Sequence, residues 1–317
     1  MATDQLARTG AAFDRKVSKA GKRKPWMRST LVAYAFLLPW FGGLIILTAG
    51  PLLASLYLSF TDFDLLSIPD WVGWQNYIDL FTADPRYLQA LATTSTYVFL
   101  GVPLQLGFAL LIAVLMNQKV RAIGVFRAVY YLPSLLGSSV AVAVMWRQLF
   151  SNTGVINQFL ALFGINAPNW ISTPQYALYT LIILHIWQFG SAMVIFLAGL
   201  QQVPQELYDA AEMDGASKWR RFRDVTLPMI TPVIFFNLVL GIIHSFQAFT
   251  SAYIVSGGSG GPSDSTLFYT LYLYQEGFNN FHMGYASAMA WVLLVVISIF
   301  TAINFLVSRR WVFYGDE

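Results

Sequence analysis

Few residues in this chain have the types or spacing that chemistry requires. His185, His244 and His282 stand on separate segments, without metal-ligand spacing and without a His-Glu-x-x-His arrangement. Cysteine is absent, which excludes a disulfide, a thiolate metal site and a cysteine nucleophile. Ser191 or Ser245 with His244 has the residue types of a serine hydrolase, but neither serine lies in a Gly-x-Ser-x-Gly elbow. Asp62-x-Asp64 offers a metal two carboxylates and no second acidic cluster. Gly257-Gly258-Ser259-Gly260-Gly261-Pro262 has the composition of a phosphate cradle, yet Pro262 and Ser263 stand where a P-loop needs Lys and Ser or Thr. No metal site and no nucleotide-binding motif is expected, so any ATP chemistry must reside on another subunit.

The strongest docking signal is the polar interlude 201–232. Pro204 fits the first turn of a short helix, Glu206 suits the positive end of its dipole, and Gly215 can end it. Val203, Leu207, Ala210 and Ala211 then fall on one face, made shallow by the two alanines, as helix-in-groove recognition requires.

The elements around these residues are hydrophobic. With 56% hydrophobic and 11% charged residues, the chain departs from the balance of soluble proteins. Six intervals free of Asp, Glu, Lys and Arg recur, at about 31–60, 88–116, 128–146, 176–204, 229–255 and 284–308, each long enough to cross a bilayer as a helix. An all-α membrane protein follows, with a basic tail over 1–30, a six-span domain over 31–310 and a short carboxyl-terminal tail over 311–317. The first hydrophobic stretch is too long for a cleaved signal peptide.

Seventeen of the nineteen basic residues fall on one side of these spans, leaving Arg86 and Arg147 opposite. The positive-inside rule therefore puts both termini and the 201–228 loop in the cytoplasm of a multi-pass cell-membrane protein. Lipid headgroups and topology account for the net charge of +3 without a nucleic-acid partner. The external stretch 61–87 is acidic and aromatic; it suits an outside partner or an interfacial aromatic belt about equally well.

Asp209-Ala210-Ala211-Glu212-Met213-Asp214-Gly215-Ala216, followed by Leu227-Pro228, closely resembles the cytoplasmic EAA loop of ABC-importer permeases, with Asp209 in place of the usual first Glu. Pro51–Phe60, Phe126–Pro133, Gly260-Gly261-Pro262 and Met283–Ala288 resemble segments of the sugar-importer branch, in the same order. The basic tail departs most from the shared pattern. The resemblance implies the type I importer permease fold with six transmembrane helices, and a coupling helix whose Asp209, Ala210, Ala211, Asp214, Gly215 and Ala216 meet an ATPase. It implies a second related permease, two ATPase subunits that hold ATP and Mg, and an extracytoplasmic solute-binding protein in a prokaryotic inner membrane. No cofactor is expected on this chain itself.

Similarity to the maltose permease points to the spans on either side of the loop as the solute pathway. There Trp187, Gln188 and Ser191 fall within about one turn, and Asn237, His244, Ser245 and Gln247 interrupt an apolar run. Such residues suit a sugar's hydroxyls and C–H faces, although polar residues also join spans to one another. With no Lys or Arg in the spans, a neutral mono- or oligosaccharide is the expected solute. An ion-coupled carrier is the alternative, weakened by the lack of intramembrane carboxylates. An intramembrane enzyme is weaker still.

Overall fold

The structure, a computed structural model, describes residues 25–118, 123–137 and 139–313. Most of the basic tail, Lys119 and Arg121, and residues 314–317 lie outside it.

Residues up to Ser55 form one unit and those from Leu56 a second. The first contains α1 (Pro25–Gly43), a wider π-helical stretch (Leu44–Ala49) and the start of α2 (Gly50–Leu58). Helix thus begins at Pro25, inside the segment read as a tail, and proline suits a first helical position. The apolar helix Val32–Leu58 is long enough to cross a membrane.

The second unit opens with a small two-stranded fold. β1 (Thr61–Asp62) pairs antiparallel with β2 (Asp70–Trp71), Thr61 opposite Trp71, and α3 (Gln75–Thr82) follows. Phe60 holds them together, its ring 5.6 Å from Trp71, 5.0 Å from Trp74 and 5.4 Å from Tyr77. The Asp64 carboxylate accepts hydrogen bonds from the Leu66 and Ser67 amides and the Ser67 hydroxyl, which lower its pKa.

α4 (Pro85–Met116) is the central helix. Tyr97, Val98, Val102, Leu106, Ala109 and Ala113 form its buried stripe at three- and four-residue spacing. It packs against α8 (Pro174–Trp187), α9 (Gly190–Gln202) and α13 (Thr231–Phe246). Glycines allow close approach: a Cβ at Gly241 would come within 2.9 Å of Val102, and one at Gly199 within 2.8 Å of Val233. Between α4 and α8 run α5 (Ile123–Leu136), α6 (Val140–Leu149) and the short α7 (Val155–Ala161). After α9 come α10 (Gln205–Met213), α11 (Lys218–Arg221), a π-helical turn (Phe222–Thr226) and α12 (Leu227–Met229), then α13. α14 (Thr250–Ser256), α15 (Tyr269–Tyr274) and the long α16 (Met283–Ser308) complete the chain.

Three of the six apolar stretches are single long helices, Val32–Leu58, Pro85–Met116 and Met283–Ser308. The other three are bent: α5 to α6 by 97°, α8 to α9 by 41°, and Lys218–Met229 to α13 by 63°. This corrects the unbroken intervals 128–146, 176–204 and 229–255, the last of which is interrupted at Ile230 and again after Phe246. Proline and glycine are the local cause: Pro133 and Gly137 precede the first bend, Gly190 follows the second, and Pro228 and Pro232 flank the third.

Asp84 fastens the start of α4 to the later helices. One carboxylate oxygen caps α4 through the Arg86 and Tyr87 amides, at 3.0 and 3.1 Å. The other accepts the Tyr272 and Tyr285 hydroxyls, each at 2.6 Å. Burial, then the bond to Asp84, raises the Tyr272 pKa, so that hydroxyl stays a donor. Arg86 makes a two-pronged pair with Asp264 at 2.9 and 3.0 Å, which raises the arginine pKa. Asp84→Ala removes the cap and the shared acceptor, and is expected to cost about 1–3 kcal/mol, seen as a lower Tm of the purified protein.

Candidate functional site

A cavity of about 420 Å³ lies among α4, the α5–α6 bend, α8, α9, α13 and the start of α14. Its wall carries Gln105 from α4, Ser134 and Ser139 beside the first bend, His185 from α8, Gln188 just past its end, and Ser191 from α9. Asn237, His244 and Ser245 come from α13, and Thr250 and Ser251 from α14. Among the described residues the wall contains no Asp, Glu, Lys or Arg. Its polar groups are hydroxyls, amides and imidazoles, the set that binds a hydroxylated uncharged molecule.

The structure brings Gln188, Ser191, Asn237, His244 and Ser245 together at this wall. It does not bring Trp187 or Gln247 there. Trp187 packs against Trp146, ring centroids 6.0 Å apart, beside the apolar cluster of Val142, Trp146, Phe150 and Leu184. The bend after Trp187 separates it from residues that an unbroken helix would have kept alongside. Gln247 is exposed just past the end of α13. His185 is the packing histidine, with Nε2 3.3 Å from the Ser245 hydroxyl, a ring 5.2 Å from Tyr97, and no room for a Cβ at Gly101 closer than 3.1 Å. His244, by contrast, is exposed at the cavity.

Gln105 and Ser134 were not singled out from sequence. Gln105 had left a signal, as the one amide side chain between Thr96 and Asn117 of an apolar helix. Ser134 had none, because a single serine beside Pro133 reads equally well as packing.

The polar loop forms a second arrangement. α10 ends in a Schellman turn: the Gly215 amide donates to Glu212 O at 3.0 Å and the Ala216 amide to Ala211 O at 2.9 Å. Gly215 has φ +75°, the left-handed region that favours glycine. Ser217 then caps α11 through the Arg220 amide. Arg221 pairs with Glu212 at 2.5 Å, and the Tyr208 and Thr226 hydroxyls meet at 2.9 Å, tying the hairpin to its own return strand of chain. Tyr208 and Ala211 are therefore half-buried, while Leu207, Ala210 and Met213 form the free apolar face, with Met213 89% exposed. The face expected from sequence thus rotates: Ala211 and Val203, which precedes α10 and is half-buried against the core, leave it, and Met213 joins it. Asp209, Asp214 and Gly215 are exposed around it, and Ala216 is half-buried.

The sequence pattern described as "Binding-protein-dependent transport system inner membrane component" matches residues 80–312. The chain belongs to that family. It is 51% identical over 297 residues to the probable ABC transporter permease protein YesP of Bacillus subtilis (strain 168), spanning 93% of this chain and 96% of that protein. It is 32% identical over 283 residues to the lactose transport system permease protein LacF of Rhizobium radiobacter, spanning 87% of this chain and 94% of that one. Among solved structures, a chain of a bacterial ABC transporter involved in import of the acidic polysaccharide alginate superposes with a TM-score of 0.77 over 90% of this chain and 97% of its own, at 22% identity. That likeness is one of fold, the type I importer permease fold. The chain is accordingly a membrane-spanning permease subunit of an ABC importer, and the family's permease subunits are not themselves enzymes.

Proposed function

We propose that this permease forms half of the pathway of an ATP-driven, binding-protein-dependent importer for a neutral sugar. The observation that carries the solute class is the cavity wall, polar but without a cationic side chain among the described residues. An anionic solute entering it would lose water without gaining a counter-charge. The name of the lactose permease relative supports the same class. A second related permease, two ATPases holding ATP and Mg, and an extracytoplasmic solute-binding protein complete the complex in this reading. The α10 hairpin docks on an ATPase through Leu207, Ala210, Met213 and Gly215, with Asp209 and Asp214 at its edge. An ion-coupled carrier gains no support from a wall without carboxylates.

The test is to co-purify the chain with its partners and identify retained solute by mass spectrometry. A neutral mono- or oligosaccharide is expected; a phosphorylated or acidic solute alone would overturn the neutral-sugar reading.

Orientation follows from the charge asymmetry, with both ends inside a prokaryotic inner membrane. Because the chain has no cysteine, Ser263→Cys and Ser217→Cys each create a unique label site. An impermeant maleimide with access to the outer face of that membrane should label the first and spare the second. The reverse pattern would invert the topology.

A further inference from the structure

We propose that Gln188, Ser134 and Gln105 form a latch that fastens two helix breaks to each other and holds the permease in its resting arrangement, so that Gln188 is a positioning residue rather than a solute ligand. The proposal rests on reading the cavity as the solute route.

A helix break frees backbone groups that an unbroken helix would pair, and inside a membrane only protein or admitted water can satisfy them. At the α8–α9 break those groups are taken up by two other helices. The Gln105 amide, from α4, donates to His185 O at 2.9 Å and to Gln188 O at 3.2 Å. The Ser134 hydroxyl, from α5, donates to Gln188 O at 3.0 Å and accepts the Ser191 amide of the first turn of α9 at 2.9 Å. The exchange is mutual. The Gln188 side-chain amide donates to Gly137 O at 2.9 Å, at the α5–α6 break. Each break therefore supplies partners for the other, and Gln188 takes part with both its backbone and its side chain.

The fit around these bonds is tight. A Cβ at Gly190 would stand 2.5 Å from Tyr130 O and 2.7 Å from the Ser134 hydroxyl. A Cβ at Gly137 would run into the Gln188 side chain and stand 2.7 Å from Pro133 O. Backbones in such contact cannot slide past one another while the bonds persist; they are engaged or they are apart. Release is costly wherever the freed carbonyls find no other donor. Water or solute hydroxyls in the opened cavity would replace the lost bonds. Release is then favoured when the pathway is occupied, which is the differential interaction that any ligand-driven change of state requires.

The experiment uses the complete complex in proteoliposomes, carrying Gln188→Met or Ser134→Ala. Methionine keeps the length of the side chain and removes its bond to Gly137 O; Ser134→Ala leaves the Gln188 side chain intact and removes the bonds to Gln188 O and from the Ser191 amide. Both variants should raise ATP hydrolysis in the absence of solute and binding protein, Gln188→Met by about fivefold, the shift that one lost hydrogen bond produces in a two-state equilibrium, and Ser134→Ala, which loses two, by at least as much. The solute concentration for half-maximal uptake should stay level or fall, because the released arrangement is the one that solute favours. Unchanged solute-free hydrolysis in both variants overturns the latch, as does a weaker half-saturation with unchanged solute-free hydrolysis, which would make Gln188 a ligand. A Gln188→Met complex that matches the unaltered one, beside a Gln188→Ala complex that does not, would reduce the role to packing and also overturn it. Raised solute-free hydrolysis in a complex that carries no neutral sugar would sink the solute reading and leave the latch standing.

Discussion

Gly215→Trp is expected to abolish transport while the permease still inserts and assembles. The glycine sits at the turn that ends α10 with φ +75°, so any side chain there carries about 1–2 kcal/mol of backbone strain. Strain of that size weakens a surface turn without unfolding a bundle whose core lies elsewhere. Among the described residues nothing lies within 4 Å of a Cβ built at Gly215, so the side chain starts into open space rather than into its own subunit. What it meets is whatever the Leu207–Ala210–Met213 face docks against. Gly215→Ala shares the strain and lacks the bulk; it should retain much of the transport, and the difference between the two isolates the docking term. Ala210→Trp, on the free face, should behave like Gly215→Trp. Ala211→Trp is less clean, because Ala211 is half-buried against its own hairpin. Asp209→Ala should be mild: among the described residues its carboxylate accepts only the exposed Gln205 amide at 3.0 Å, a surface interaction of at most ~1 kcal/mol. Sugar uptake by assembled complexes is the measurement, and normal uptake through a Gly215→Trp complex would end the docking hypothesis.

The hairpin was legible because its signals are local. Gly215 after a run of good helix formers marks a left-handed stop, and the structure has that stop. The apolar stretches were legible for the same reason, since the absence of charge can be read residue by residue. The breaks within them were not. Charge-free composition is identical for a straight span and a bent one, and whether Pro133 or Gly190 bends a helix depends on which neighbours satisfy the freed backbone groups. Those neighbours are distant in sequence: Gln105 reaches His185 O and Gln188 O, and Ser134 reaches Gln188 O. Trp187 was misplaced for that reason, because helical spacing was carried across a break. Ala211 was misplaced because the Tyr208–Thr226 and Glu212–Arg221 contacts, which set the rotation of α10, join it to a later turn of the chain.

The cavity should respond differently to the loss of each of its two histidines. His185 is held by Ser245 and Tyr97 and closely abuts Gly101, so His185→Ala leaves a void in the packing and is expected to lower the Tm by several degrees, consistent with a core loss of about 2–4 kcal/mol. His244 faces the open cavity, whose volume of about 420 Å³ falls within the ~300–1,000 Å³ usual for small-molecule sites. Its ring offers both a polar edge for a hydroxyl and a flat surface for a sugar's C–H face. Asn237 lies seven residues earlier on α13, two helical turns away on the same side; its side-chain NH2 donates to Val233 O within its own helix, and the residue also lines the cavity. His244→Ala is therefore expected to lower neutral-sugar uptake about tenfold, from loss of one or two contacts worth roughly 1 kcal/mol each, with little change in Tm. ATP hydrolysis stimulated by the loaded binding protein should persist, because neither the hairpin nor the α8–α9 break is touched. Normal sugar uptake with unaltered solute preference in His244→Ala would remove this histidine from the pathway, and a fall in Tm equal to that of His185→Ala would make it a packing residue instead.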